Sequence, residues 1–124
     1  MDFERDYFMR QIKNMTKAIV NLFFDDNTPA VKLHEDDLTI SSEGLLYLQL
    51  KYMVSQKQIN EAENILFEEI SDKITVNLLY VALQFYNDLQ DLSDEYLAEC
   101  NFTREEIIEG LEEINKIYHE QPYQ

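Results

Sequence analysis

The sequence predicts an all-α protein built as one domain, residues 1–124, with about five amphipathic helices in an antiparallel bundle. The first observation is periodicity, because apolar residues recur three or four positions apart along most of the chain. The second is the scarcity of turn formers: 2 Gly and 2 Pro in 124 residues disfavour an all-β chain with many tight turns. The third is the hydrophobic content of 45%, which supplies one core at this length but not two.

The first helix is predicted over residues 3–24 and is amphipathic. Its apolar stripe, with alternating spacings of four and three, consists of Phe8, Ile12, Met15, Ile19 and Leu22. At about 100° per residue, Arg10, Lys13 and Lys17 fall on the opposite face and form a cationic stripe. The irregular acidic segment 25–41 that follows is predicted to tether this helix to the rest of the domain, since loops this long are uncommon within compact domains.

The second and third helices are predicted over residues 42–55 and 58–70. The short turn between them predicts an antiparallel hairpin. Ser41 and Ser42 are the candidate N-caps of the second helix, because a serine hydroxyl can accept a hydrogen bond from an amide of the first turn. The second helix is apolar over more than half of its circumference, which predicts contacts on two sides.

The fourth helix is predicted as one long central helix over residues 73–99, capped by Ser71 or Asp72. Its apolar stripe keeps helical spacing for five turns, and a second apolar row widens it. Ser93, followed by two acidic residues, also resembles a new N-cap, so a kink or break near Leu92 is the alternative. The unbroken apolar stripe favours the continuous helix.

The fifth helix is predicted over residues 103–119, because three boundary signals coincide at its start. They are a left-handed C-terminal cap, a capping box and a hydrophobic staple, formed by Asn101, by Thr103 with Glu106, and by Phe102 with Ile107. Gly110 lies inside this helix, where glycine costs up to about 1 kcal/mol relative to alanine. We therefore expect close packing of Gly110 against a neighbouring backbone.

The charge is strongly negative and unevenly distributed. The formal net charge is -15, which disfavours binding to nucleic-acid phosphates or anionic lipid, so neither nucleic acid nor membrane is an expected partner. Residues 1–24 carry a net charge of +1 and the other 100 residues carry −16. With one cysteine, no signal-peptide pattern and no run of 18 apolar residues, the expected location is the cytoplasm.

No residue pattern indicates catalysis, a cofactor or a metal site. Glu105, Glu109 and Glu112 share one face of the fifth helix, as surface glutamates usually do. The acidic segment lacks the glycine that a calcium-binding loop needs. Cys100 lies beside Glu99 near a helix C-terminus, where an inert thiol is expected. We therefore predict a non-enzymatic protein without a cofactor or metal.

Three short segments, 5–12, 60–67 and 102–107, resemble a family of small acidic helical proteins from low-GC Gram-positive bacteria. That family is one of unknown function, so the resemblance implies a fold and no activity. The second and third helices are also similar to one tetratricopeptide hairpin, with Leu46, Leu50 and Met53 on the first helix and Ala62 and Leu66 on the second. Leu50 replaces the usual small residue and no proline closes the unit, so a generic helical bundle is the alternative.

The leading functional hypothesis is an interaction or scaffold protein that binds a partner protein through a helical groove or through the first helix. A homodimer through the first helix is a related possibility, because a long tether makes helix exchange easy. The candidate partner-binding residues are Arg10, Lys13, Lys17, Tyr47, Tyr52 and Tyr80. If the three tyrosines were buried and no apolar groove remained, the groove hypothesis would fail.

The alternative hypothesis is an acidic regulator that mimics nucleic acid and competes for a basic DNA-binding protein. It predicts binding that weakens steeply with salt. An enzyme is the third hypothesis. A deep polar pocket holding a carboxylate with a raised pKa would favour it.

Overall fold

Six helices make up most of residues 2–23 and 41–120, which are the residues that this computed structural model describes. They are α1 (Asp2–Phe23), α2 (Ser42–Ser55), α3 (Ile59–Asp72), α4 (Val76–Gln90), α5 (Asp94–Glu99) and α6 (Arg104–Glu120). The all-α prediction is confirmed, and the described part of the chain contains no strand. Apart from Ser41, the predicted tether 25–41 lies outside the described residues.

Helix α4 is the central element, as its wide apolar face predicted. It contacts α1, α2, α3 and α6, while α1 also packs along α6 and α2 packs against α3. Its buried residues are Leu78, Leu79, Val81, Ala82, Leu83, Phe85, Tyr86 and Leu89. Ile12 and Ile19 of the α1 stripe are buried in the same core, so the first helix packs on its own domain.

Two predicted helix starts are confirmed in their hydrogen-bond geometry. The hydroxyl of Ser41 accepts from the amide of Gly44 at 2.9 Å. At α6 the amide of Glu106 donates to the Thr103 hydroxyl at 3.2 Å, and the Thr103 amide donates to the Glu106 carboxylate at 2.9 Å. Asn101 has a φ of 57°, the left-handed conformation expected before this helix.

The prediction of one continuous helix over residues 73–99 is wrong. The helix ends at Gln90 and a new one begins at Asp94. Ser93 is extended and its hydroxyl accepts from the amide of Tyr96 at 3.0 Å. The guanidinium of Arg104 on α6 donates to the carbonyls of Gln90 and Leu92 at 2.8 and 2.7 Å. The break is therefore stabilised by a cap on one side and by a side chain 14 residues away on the other.

The predicted cap of the central helix is also wrong. Ser71 and Asp72 belong to the last turn of α3. The N-cap of α4 is Thr75, whose hydroxyl accepts from the amide of Leu78 at 3.1 Å. Lys73 is extended, with a φ of -154°. Three residues of non-helical chain, 73–75, separate the helices where one boundary was expected.

Gly110 packs closely, but against a side chain instead of the predicted backbone. An added Cβ at Gly110 would lie 2.1 Å from the hydroxyl oxygen of Tyr86 and 2.4 Å from its Cζ. Tyr86 reaches from α4 past α6, and its hydroxyl donates to the carboxylate of Glu63 on α3. Burial and the neighbouring Glu63 carboxylate raise the pKa of Tyr86, so it remains a neutral donor. Because Gly110 has no side chain, Tyr86 of α4 can pass α6 and reach Glu63 of α3.

Candidate functional site

An apolar groove lies where α2, the end of α4 and the short helix α5 meet. Its volume is about 230 Å³, and its lining residues are Lys51, Val54, Ser55, Phe85, Asp88, Leu92 and Tyr96. This volume is below the roughly 300–1,000 Å³ that is typical of small-molecule sites. A space of this size suits one large apolar side chain of a protein partner, as anchoring residues at interfaces require.

The break after α4 shapes the walls of the groove. Phe85 is buried, whereas Val54, Leu92 and Tyr96 are partly exposed. The hydroxyl of Tyr96 donates to the carbonyl of Val54, which links α5 to the last turns of α2. A continuous helix through residues 91–93 would carry Tyr96 onward along α4, so the wall exists because the chain turns at Ser93.

The polar rim of the groove combines a tyrosine, a carboxylate and a lysine. Tyr47 donates its hydroxyl proton to Asp88 at 2.7 Å, and the ammonium of Lys51 lies 5.5 Å from the centre of the Tyr47 ring. Burial raises the pKa of the Asp88 carboxyl, while the Tyr47 hydrogen bond and the Lys51 charge lower it and Asp91 raises it further. The rim thus offers one carboxylate and one ammonium to an approaching partner.

The outer face of α2, defined as Leu45, Leu48 and Tyr52, is exposed. The exposed fractions of these side chains are 61%, 39% and 64%. Their spacing of three and four residues puts them on one stripe. Helix α2 contacts both α3 and α4, but its apolar surface is wider than these two contacts cover.

The three tyrosines singled out from the sequence do not share one surface. Tyr47 lies at the groove rim and Tyr52 on the outer face, about 140° apart around α2 at 100° per residue. Tyr80 lies on α4, partly buried, where its hydroxyl accepts from the Gln84 amide at 3.1 Å. Sequence analysis did not identify Phe85, Leu92 or Tyr96 as site residues. The N-cap signal at Ser93 was the available clue, because it separates Tyr96 from the line of α4.

The cationic stripe of α1 is exposed, as its spacing predicts. Arg10, Lys13 and Lys17 are all exposed, on the side of α1 opposite to the buried Ile12. Arg10 and Lys13 line a shallow hollow of about 540 Å³ together with Asp6, Met9 and Gln90. The stripe is therefore available to an anionic partner surface.

A second hollow, which we call the acidic hollow, lies between α3 and α6. It has a volume of about 300 Å³ and is lined by Glu63, Asn64, Phe67, Glu106, Glu109, Gly110 and Glu113. Burial raises the pKa of Glu63; the Tyr86 hydrogen bond lowers it, and the carboxylates of Glu106 and Glu109 raise it further. The hollow thus gathers four carboxylates, one of them joined to the core.

The raised pKa of Glu63 predicts a pH-dependent stability. The folded chain holds the Glu63 proton more tightly than the unfolded chain does, so protonation of Glu63 stabilises the fold. This stabilisation is fully present below the unfolded pKa of about 4.3 and is lost as pH rises through the folded pKa. We expect the melting temperature to rise on acidification from about pH 7.5 to 5. Glu63→Gln, which retains an acceptor for Tyr86, should raise the melting temperature at pH 7.5 and reduce its pH dependence.

The control for this variant is Glu61→Gln, on the exposed side of the same helix. It removes the same charge from α3 without touching Tyr86. If both variants shift the pH profile equally, the general charge of the protein, and not Glu63, controls it.

Other features that bear on chemistry were located in the described part of the chain. Cys100 is a buried free thiol at the end of α5. Within residues 2–23 and 41–120, no three His, Cys, Asp or Glu side chains are grouped so that they could hold a metal ion. Over the same residues, no helix is both long and apolar enough to cross a bilayer.

Comparison with known proteins gives one match. Residues 2–119 match the model of a family of unknown function, DUF6483. The resemblance noted from the sequence is confirmed to that extent. Neither the curated proteins nor the solved structures include a match to this chain.

Proposed function

Since the chain belongs to this family of unknown function, we propose from its own geometry that it is a non-enzymatic protein-interaction domain. The groove between α2, α4 and α5 is the proposed binding site. It takes one large apolar side chain of a partner protein, and its polar rim orients the segment that carries this side chain. Tyr47 acts at the rim, whereas Tyr52 and the cationic stripe of α1 lie outside the groove.

The observation that supports the proposal is an apolar groove with partly exposed aromatic and aliphatic walls in an otherwise acidic protein. The net charge of the chain is -15. Most of the protein surface therefore repels anions. The Asp88 carboxylate accepts a hydrogen bond from Tyr47 and lies close enough to Asp91 for the two charges to interact. The expected partner segment is therefore an amphipathic helix with an apolar anchor flanked by basic residues.

We predict that Ser55→Trp will block the groove. Ser55 is exposed and lines it, so an indole at this position can fill the space without disturbing the core. Short helical peptides are selected by display against the full chain, and their affinities for the variants are measured by fluorescence anisotropy. We expect Ser55→Trp to weaken the selected peptides by about tenfold or more, equivalent to at least about 1.4 kcal/mol.

The matched control is Ser71→Trp, an exposed serine in the last turn of α3. It adds the same side chain away from the groove and should leave peptide affinity unchanged. Equal affinity of the peptides for both tryptophan variants would show that they bind elsewhere. Failure to select any apolar, basic peptide would count against the groove as a binding site.

A second candidate function is the acidic regulator that competes for a basic DNA-binding protein. The observation that favours it is the acidic hollow, where the carboxylates of Glu63, Glu106, Glu109 and Glu113 surround one space. Binding to such a protein would weaken steeply with added salt, because exposed charges are screened. It would also be insensitive to Ser55→Trp, which separates the two candidates.

We further propose that the protein acts in the cytoplasm of a bacterium; the bacterial origin is what the family resemblance implies. The tetratricopeptide likeness is part of the same proposal. The short connection makes α2 and α3 antiparallel. Helix α4 contacts both of them. This is the arrangement expected of a helical hairpin followed by the first helix of a further unit.

A further inference from the structure

The outer face of α2 has no cover among the described residues, although it is apolar and exposed. Leu45, Leu48 and Tyr52 are three of the five large hydrophobic side chains that are exposed in the described part of the chain. Scattered apolar side chains are normal at a protein surface, but a stripe on one helix face indicates contact with another surface.

Charge restricts the choice of partner for this face. Glu43 and Lys51 are the charged residues of α2 and their charges cancel, whereas the whole chain carries -15. Two copies of the chain repel each other over most of their surfaces. Helix α2 offers a neutral, apolar surface on which two copies can meet with little repulsion, and a strongly basic partner gains little from it.

The stripe is also self-complementary. Leu45 lies three residues before Leu48, and Tyr52 lies four residues after it. If two copies of α2 cross antiparallel around a two-fold axis near Leu48, Leu45 of each copy faces Tyr52 of the other. An isologous contact of this kind is what a closed two-fold dimer requires.

We propose that the outer face of α2 is the interface of a weak, reversible homodimer. Three side chains cover much less than the ~800 Å² per partner of a standard interface, so the contact belongs among the small, transient ones. Val54 lies about 150° around α2 from the outer face at 100° per residue, whereas Ser55 at the edge of the groove lies about 50° from it. The apolar floor of each groove therefore faces away from the interface, and its Ser55 edge borders it. The dimer is then bivalent toward the partner of the groove, and avidity adds to the affinity of each site.

Sedimentation velocity of the full chain over a wide concentration range tests the proposal. We expect a reversible monomer–dimer equilibrium that strengthens as salt is raised, because salt screens the repulsion between two acidic chains. Leu45→Glu should weaken dimerisation by about tenfold or more. Leu48→Gln, which adds no charge, should weaken it in the same direction.

The matched control is Leu22→Glu on α1, because Leu22 is 60% exposed and Leu45 is 61% exposed. It adds the same charge at an exposed leucine outside α2 and should leave the dimer intact. A chain that is monomeric at all concentrations overturns the proposal. So does a dimer that added salt dissociates, since that result assigns the contact to the cationic stripe of α1, and so does a dimer that Leu22→Glu dissociates, since that result assigns the contact to the apolar stripe of α1.

Discussion

Gly110→Ala is expected to destabilise the fold by about 3 kcal/mol, although glycine to alanine inside a helix ordinarily stabilises it. The new methyl group would lie 2.1 Å from the Tyr86 hydroxyl oxygen, so the tyrosine must move and its hydrogen bond to Glu63 must break. Overpacking costs about 1–3 kcal/mol, and a lost buried hydrogen bond adds about 1 kcal/mol. In thermal unfolding, the melting temperature should fall by roughly 10 °C.

Second-site changes at Tyr86 test whether steric conflict with this side chain causes the loss of stability. Tyr86→Phe removes the hydroxyl but leaves Cζ at 2.4 Å from the new methyl, so it should not rescue Gly110→Ala. Tyr86→Leu shortens the side chain and should restore part of the stability difference between glycine and alanine. The reference is Glu112→Ala, at an exposed position of α6. A Gly110→Ala variant as stable as this reference would contradict the packing described.

Arg104→Met is expected to lower the free energy of unfolding by about 3 kcal/mol. The Arg104 side chain is 5% exposed, and its guanidinium lies 3.0 Å from Asp94 and donates to the carbonyls of Gln90 and Leu92. Methionine fills similar space but leaves two carbonyls without their donor, and each unsatisfied buried group costs about 1–3 kcal/mol. Urea unfolding followed by circular dichroism measures the loss.

Two further variants test this account of Arg104. Arg104→Lys should recover only part of the stability, because one ammonium group cannot reproduce the forked contacts of a guanidinium. Lys57→Met removes an exposed ion pair with Glu99, at 2.8 Å, and should leave stability unchanged within error. If Arg104→Met were as mild as Lys57→Met, the break after α4 would not depend on Arg104.

Local signals predicted the helices and several of their ends, because those ends are formed by residues close in sequence. Ser41 and the Thr103–Glu106 pair act within three residues of their partners. For the break after α4, the local cap signal at Ser93 supported only the alternative prediction. The carbonyls at the end of α4 accept hydrogen bonds from Arg104. In the sequence, this arginine resembles an ordinary surface cation in a highly charged segment. The preference for a continuous helix followed from apolar periodicity alone, which continues unbroken past Leu92.

The candidate site was less predictable than the fold. The cationic stripe of α1 was placed by helical geometry, because all its members lie on one helix. The groove combines α2, α4 and α5, and its walls depend on a turn at Ser93 that apolar spacing does not reveal. In the sequence, Tyr86 belongs to the second apolar row of the predicted central helix, which indicates only a core residue. Its path over Gly110 to Glu63 depends on three helices whose relative positions no local pattern specifies.

The shortness of α5 has a consequence for how this region folds. Helix α5 has six residues. A helix that is stable alone in water needs about 12 or more. Helix α5 therefore persists only while the Ser93 cap, the Tyr96 contact with α2 and the Arg104 contacts from α6 exist together. It should form late and open only when its neighbours separate, as part of one cooperative unit with the ends of α2, α4 and α6. The groove that it completes would then be present in the fully folded chain and absent from partly folded forms.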